Sequence, residues 1–126
     1  MAPPEALAVR RFNNAVELDL RIAEHQAFFP DHFPRFSMLP GVAQIDWAIR
    51  LGREHLGITG SFRKLSGLKF QHPILPGASV TLCLARTASG ELEFAYQNRD
   101  RDCSSGRVLF SEGTDGMPLP TGGEAA

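Results

Sequence analysis

Three positions within a short stretch carry the groups that acid–base chemistry needs. His32 stands in the run Phe28-Phe29-Pro30-Asp31-His32-Phe33-Pro34, where aromatics and prolines hold an imidazole in a restricted, apolar setting. That setting favours the neutral base, and histidine ordinarily titrates near operating pH, although a lone histidine among aromatics also has a structural reading. Asp46 lies four residues after Val42 and three before Ile49, on the apolar side of a helical pattern. A carboxyl taken out of water there, with no partner, would hold its proton near neutral pH and serve as an acid. The plainer alternative puts Asp46 at the edge of the stripe, solvated or paired with Arg50 one turn on. Gly41 opens the same helix, so its N–H and that of Val42 can point outward to a carbonyl oxygen at the positive end of the helix dipole. Every helix has such an end; this one matters because a candidate base and a candidate acid flank it.

The elements that must position these groups follow from the patterning. Pro40-Gly41 starts a helix over about residues 41–56, in which Val42, Ile45, Ile49, Gly52 and Leu56 recur at helical spacing beside Ala48. Gly52 would permit close approach to a sheet. Residues 16–22 alternate Val16, Leu18, Leu20 and Ile22 with charges, the pattern of a half-buried strand. Residues 28–40 hold too much proline for regular structure and are too apolar for an idle surface loop. From Leu65 the pattern predicts short strands around Leu68 and Phe70, Val80 to Leu84, Leu92 to Tyr96, and Val108 to Phe110. Ser89-Gly90 reads as a tight turn and Asp102 to Gly106 as a looser one, which predicts sequential antiparallel pairing. The fold expected is α+β, one long helix wrapped by a curved antiparallel sheet. Residues 1–112 form the single domain, with about 1–10 loosely ordered, and 113–126 are read as a flexible tail of Gly, Pro, Thr and small or acidic residues.

Composition agrees with one globular domain: 126 residues, 43% hydrophobic and 21% charged. A chain of this size buries roughly two-thirds of its unfolded surface, enough for a core but not for a deep private pocket as well, so a second subunit is expected to supply a wall. The start, Met1 to Arg11, lacks the apolar run of a signal peptide, and no stretch approaches the roughly 20 apolar residues of a membrane span, which leads to a cytoplasmic expectation. Cys83 and Cys103 lack metal-ligand spacing and are read as structural thiols. A net charge of −1 gives no global field for nucleic acid.

The segment His32-Phe33-Pro34-Arg35-Phe36-Ser37-Met38-Leu39-Pro40-Gly41-Val42-Ala43-Gln44-Ile45-Asp46 resembles the active-site segment of the 3-hydroxyacyl-(acyl-carrier-protein) dehydratases, the FabA/FabZ hot-dog family. It keeps the His-Phe-Pro, the Leu-Pro-Gly at the helix start and the acid fourteen positions after the histidine. Phe70-Gln71-His72-Pro73-Ile74-Leu75-Pro76-Gly77 is similar to a second signature of that family, so the resemblance spans about residues 15–111. The wording Leu39-Pro40-Gly41-Val42-Ala43-Gln44-Ile45-Asp46-Trp47 looks most like the dehydratases of aryl-polyene pathways. By resemblance the fold is a hot-dog, His32 is the base, Asp46 the acid and Gly41, with Val42, the backbone donor to the thioester oxygen. The resemblance further implies a homodimer with each site shared across the interface. Asp31 and Arg35 depart from the glycines the family commonly has around His-Phe-Pro, and Asp46 matches the FabA branch where many FabZ members carry Glu.

The activity implied is removal of water from a (3R)-3-hydroxyacyl thioester carried on the phosphopantetheine of acyl carrier protein or on CoA, with no metal or organic cofactor. An apolar slot for the acyl chain is expected among Phe28, Phe29, Phe33, Phe36 and Trp47, although most of these could equally be core. Arg50 and Arg53, or Arg63, Lys64 and Lys69, are the candidate contacts for an acidic carrier protein. His25, His55 and His72 are read as structural or surface residues. Two rivals stand beside dehydration: a hot-dog thioesterase, in which an acid activates water, and a non-catalytic dehydratase-like subunit that binds acyl carrier protein or completes a heterodimer.

Overall fold

The computed structural model describes residues 2–23 and 38–111. Six strands and one helix follow in the order β1 (Ala8–Arg11), β2 (Ala15–Arg21), α1 (Gly41–Leu56), β3 (Phe62–Phe70), β4 (Ser79–Arg86), β5 (Leu92–Asn98) and β6 (Arg101–Phe110). The strands form one antiparallel sheet in the spatial order β1-β2-β4-β5-β6-β3. The alternation read along residues 16–22 sets the register: Val16 faces Leu84, Leu18 faces Leu82 and Leu20 faces Val80, all buried. β5 continues the rows with Tyr96 beside Leu82 and Phe94 beside Leu84. These side chains form the floor on which α1 lies, packed over β2, β4 and β5. Each fully buried Leu or Val contributes about 1.5–3 kcal/mol by leaving water. One helix against a curved antiparallel sheet is the hot-dog arrangement anticipated from the sequence.

The helix runs from Gly41 to Leu56 as expected, and Gly57 ends it in the left-handed conformation, φ 66°. Arg86 from β4 donates to the Leu56 carbonyl at 3.3 Å, closing the C-terminal end. The buried face differs from the expected one. Gln44, Trp47, Ala48, Leu51 and Gly52 are buried, whereas Val42 is 79% exposed and Ile45 and Ile49 are only partly covered. The helix carries two adjoining apolar stripes, and the sheet takes the one centred on Ala48. Gly52 allows the close approach: a Cβ there would lie 2.9 Å from Leu92 Cδ2.

Two further features depart from the sequence reading. β1 precedes the first expected strand and is held to β2 by Arg10, whose guanidinium donates to both oxygens of Asp19 at 2.8 and 2.9 Å and to Glu17 at 2.9 Å. That guanidinium keeps the Asp19 carboxyl below its usual range. The turn expected over Asp102 to Gly106 is instead the body of β6; the hairpin turn lies at Arg99-Asp100, with Arg99 at φ 61°. Ser104 and Gly106 are small where larger groups, Gln44 and Phe94, sit against them. A Cβ on Gly106 would come within 2.9 Å of the Phe94 ring, which is 2% exposed and hemmed in by the core. Gly106→Ala is therefore expected to lose about 1–3 kcal/mol of stability, read as a lowered thermal midpoint.

β3 does not pair with β4 as a simple meander would have it. It crosses to the far edge beside β6, with bulges at Phe62/Lys64 and Ser66/Lys69. Almost every β3 residue is exposed, including Phe62 at 50%, Leu68 at 38% and Phe70 at 52%. The Ser89-Gly90 turn is as read, closed by Gly90 N–H to the Thr87 carbonyl at 2.9 Å. Among the described residues no helix is long and apolar enough to cross a membrane. Cys83 is half-buried and Cys103 buried, and burial pushes both thiols up.

Candidate active site

The start of α1 is the chemically distinctive part of the molecule. Pro40 precedes it with φ −62° and ψ 148°, and among the described residues no side chain caps the first turn. The Gln44 N–H is the first to turn back into the helix, reaching the Pro40 carbonyl at 3.1 Å, so the N–H groups of Gly41, Val42 and Ala43 precede the helical ladder. A cleft of about 400 Å³ opens at this end, walled by Met38, Leu39, Gly41 and Gln44 on one side and by Phe70, Gln71, His72 and Pro73 on the other. Phe70 lies flat against Gly41: a Cβ there would be 2.6 Å from the ring Cζ. Gly41 thus answers two requirements, an unencumbered N–H and room for an aromatic wall.

Beneath the cleft is a buried polar cluster. Gln44, 3% exposed, donates from Nε2 to the Leu39 carbonyl at 3.1 Å and accepts at Oε1 from the Ser104 hydroxyl at 2.5 Å. The Tyr96 hydroxyl donates to the Gln44 carbonyl at 2.7 Å. Burial first, and the charge of Asp46 second, push the Tyr96 phenol well above its usual range, so it remains a donor. The sequence reading passed over all three residues. A polar Gln on the buried face of the helix was the available signal; its partners lie too far along the chain for spacing to reveal them.

Asp46 lies one turn beyond Gly41, but the expectation of a buried, unpaired carboxyl is corrected. Its side chain is 45% exposed and Oδ2 is 3.0 Å from Arg50 Nε, the plainer of the two alternatives. The cause is the phase of the helix: Asp46 shares the flank of Val42, Ile45 and Ile49, not the stripe that faces the sheet. Trp47 is fully buried in the core and is not among the described residues that line the cleft. His32, together with Phe28, Phe29, Phe33, Phe36, Asp31, Arg35 and His25, lies outside the described residues, as does the tail expected at 113–126.

The basic candidates fall in two places. Arg50 is engaged by Asp46, and Arg53 sits over the Phe110 ring with its guanidinium carbon 5.1 Å from the centroid. Arg63 and Lys64 are exposed at the start of β3, beside the end of β6, whereas Lys69 lies at its other end, next to Phe70 in sequence but not among the residues that line the cleft. His55 lies against Arg11 at 3.2 Å, in keeping with a structural role. His72 is exposed and lines the cleft, with Nδ1 2.8 Å from the Asp102 carbonyl; a neutral ring bonded there donates from Nδ1. A larger trough of about 740 Å³ lies on the other face of the sheet, among outward-facing small residues such as Ala85, Ala95 and Ser105. None of its lining residues belongs to α1.

Comparisons with known proteins agree with this architecture. A family model described as "ApeI-like: ApeI dehydratase" matches residues 8–107. The chain is 28% identical over 118 residues to a 3-hydroxyacyl-(acyl-carrier-protein) dehydratase FabZ of Novosphingobium aromaticivorans, a match covering 86% of this chain and 69% of that protein. It superposes with a TM-score of 0.79 on a chain of the dehydratase heterocomplex ApeI:P from Xenorhabdus doucetiae, 28% identical, over 86% of this chain and 98% of that one. An uncharacterized protein from Erwinia carotovora subsp. atroseptica matches with a TM-score of 0.74 and 32% identity, over 88% of this chain and 97% of that one.

Proposed function

We propose a reaction from a premise now established, that this chain belongs to the ApeI-like dehydratase family. The protein removes water from a (3R)-3-hydroxyacyl thioester to give the trans-2-enoyl thioester, in fatty acid, aryl-polyene or polyketide-type biosynthesis. The observation that supports this best is the uncapped helix start at Gly41, which faces an apolar cleft with Asp46 one turn on. His32 accepts the C2 proton, and the negative charge that grows on the thioester oxygen is held by the N–H groups of Gly41 and Val42. Asp46, in its protonated form, gives its proton to the C3 hydroxyl as the C3–O bond breaks and the C2–C3 double bond forms. Arg50 must move off Asp46 for that transfer. The substrate arrives on the phosphopantetheine of acyl carrier protein or on CoA, and the steps call on no metal or organic cofactor.

The working unit in this reading is a homodimer joined along β3. An exposed edge strand carrying Phe62, Leu68 and Phe70 is a template for pairing unless something covers it. Its ends are on the order of 25 Å apart. Antiparallel pairing of two copies would bring Arg63 and Lys64 of the second copy toward Lys69 and the cleft, gathering the basic residues that one protomer separates. The same edge could take a non-identical subunit, and one solved relative is part of a dehydratase heterocomplex.

Titration of released thiol separates dehydration from the thioesterase alternative. A dehydratase leaves the thioester intact, so no thiol appears while hydroxyacyl thioester is consumed; stoichiometric thiol release would assign hydrolysis instead.

A further inference from the structure

We infer that Gln44, Tyr96 and Ser104 are positioning residues for the backbone donor at Gly41, a buried hydrogen-bonded plug that fixes the plane of the peptide carrying its N–H. The inference rests on the proposed role of that N–H in dehydration.

A primary amide on the sheet-facing stripe of a helix is costly to bury unless both of its ends are bonded. Both are, and the bonds converge on one turn. Gln44 Nε2 holds the Leu39 carbonyl, and the Leu39 N–H is in turn held by the Ile74 carbonyl at 2.8 Å, so both polar groups of Leu39 are tied down. The next residue, Pro40, has its φ fixed by its ring. With the Leu39 carbonyl pinned and Pro40 rigid, the following peptide, which carries the Gly41 N–H, has little freedom left.

The sheet supplies the other ends of the plug. Tyr96 on β5 faces Ser104 on β6, and Ser104 faces Phe70 on β3, so the three form one row across neighbouring strands. Two of them bond Gln44, and the third lies against Gly41. The row therefore meets the helix start at two places, from beneath through Gln44 and from the side through Phe70. A Leu or Met at position 44 would fill a similar volume and serve packing alone. Only the amide reaches both the Leu39 carbonyl and the Ser104 hydroxyl, so an apolar replacement that keeps the fold should still loosen the donor.

The test uses purified full-length Gln44→Met, Ser104→Ala and Tyr96→Phe, measuring steady-state kinetics on a 3-hydroxyacyl thioester, thermal midpoint and the amide resonance of Gly41 by ¹⁵N NMR. A misplaced donor should lower kcat by roughly 10-fold to 10²-fold, leave KM within about threefold and move the Gly41 resonance while the fold is kept. Tyr96→Phe, which removes one hydroxyl atom, gives the readout should Gln44→Met fail to fold. Folded variants with the parent's kcat and an unmoved Gly41 resonance would overturn the positioning role while leaving the dehydratase intact. Should the parent itself turn over no hydroxyacyl thioester, the reaction falls, and the Gly41 resonance alone decides whether the plug sets that peptide.

Discussion

Asp46→Asn should fold as the parent does and lose about 10²–10⁴-fold in kcat, the usual size of a positioned acid's contribution. The structure makes stability a clean control. Asp46 is 45% exposed and its only ion pair among the described residues is the surface i,i+4 contact with Arg50. Such contacts are worth about 0.3–0.5 kcal/mol and are screened by salt, so the thermal midpoint should barely move. An Asp46 that served only the surface pair with Arg50 predicts little change in either quantity. His32→Ala should cost a similar factor, because the C2 proton then has no acceptor, and the two losses should not add when the variants are combined, since both serve one transition state. An Asp46→Asn protein that keeps the parent's kcat would remove the acid from the mechanism.

A charge introduced on β3 should have the second large effect, dissociating the assembly and abolishing turnover together. Phe62→Glu and Leu68→Glu each place a carboxylate on a strand whose apolar groups already face solvent in the protomer, 50% and 38% exposed. The protomer itself should tolerate them with little loss of stability, as surface substitutions usually do. Pairing across the edge would instead bury the new charge, which a dimer cannot accommodate without a partner for it. Sedimentation should show the parent as a dimer and the variants as monomers, with activity reduced at least about 10²-fold if the site needs both copies. Fully active monomers would show that one protomer holds a complete site; a parent that is monomeric and inactive alone would point to the non-identical partner.

Much of the scaffold was legible because its signals are local. Pro40-Gly41 and the helical spacing that follows mark α1, and the alternation from Val16 to Ile22 announces β2 and its buried face. What was not legible depends on distant partners. The run Cys103-Ser104-Ser105-Gly106 has the composition of a turn, yet it is strand: Gly106 leaves room for the Phe94 ring and Ser104 bonds Gln44. The edge position of β3 follows from its crossing to β6, which no property of residues 62–70 specifies. At the site, Gly41 was readable from its place at a helix start. The burial of Asp46 stayed open between two alternatives because the helix carries two apolar stripes, and periodicity does not say which one the sheet will take. The same ambiguity hid Gln44, whose polar character among buried neighbours makes sense only beside Ser104 and Tyr96.

The most direct test of the central claim is the mass of the product formed when purified protein is mixed with a (3R)-3-hydroxyacyl thioester. Dehydration by His32 and Asp46 gives a thioester lighter by one water, formed by the parent and lost in both His32→Ala and Asp46→Asn. Formation of the free acid, or an undiminished yield of enoyl thioester from either variant, would contradict it.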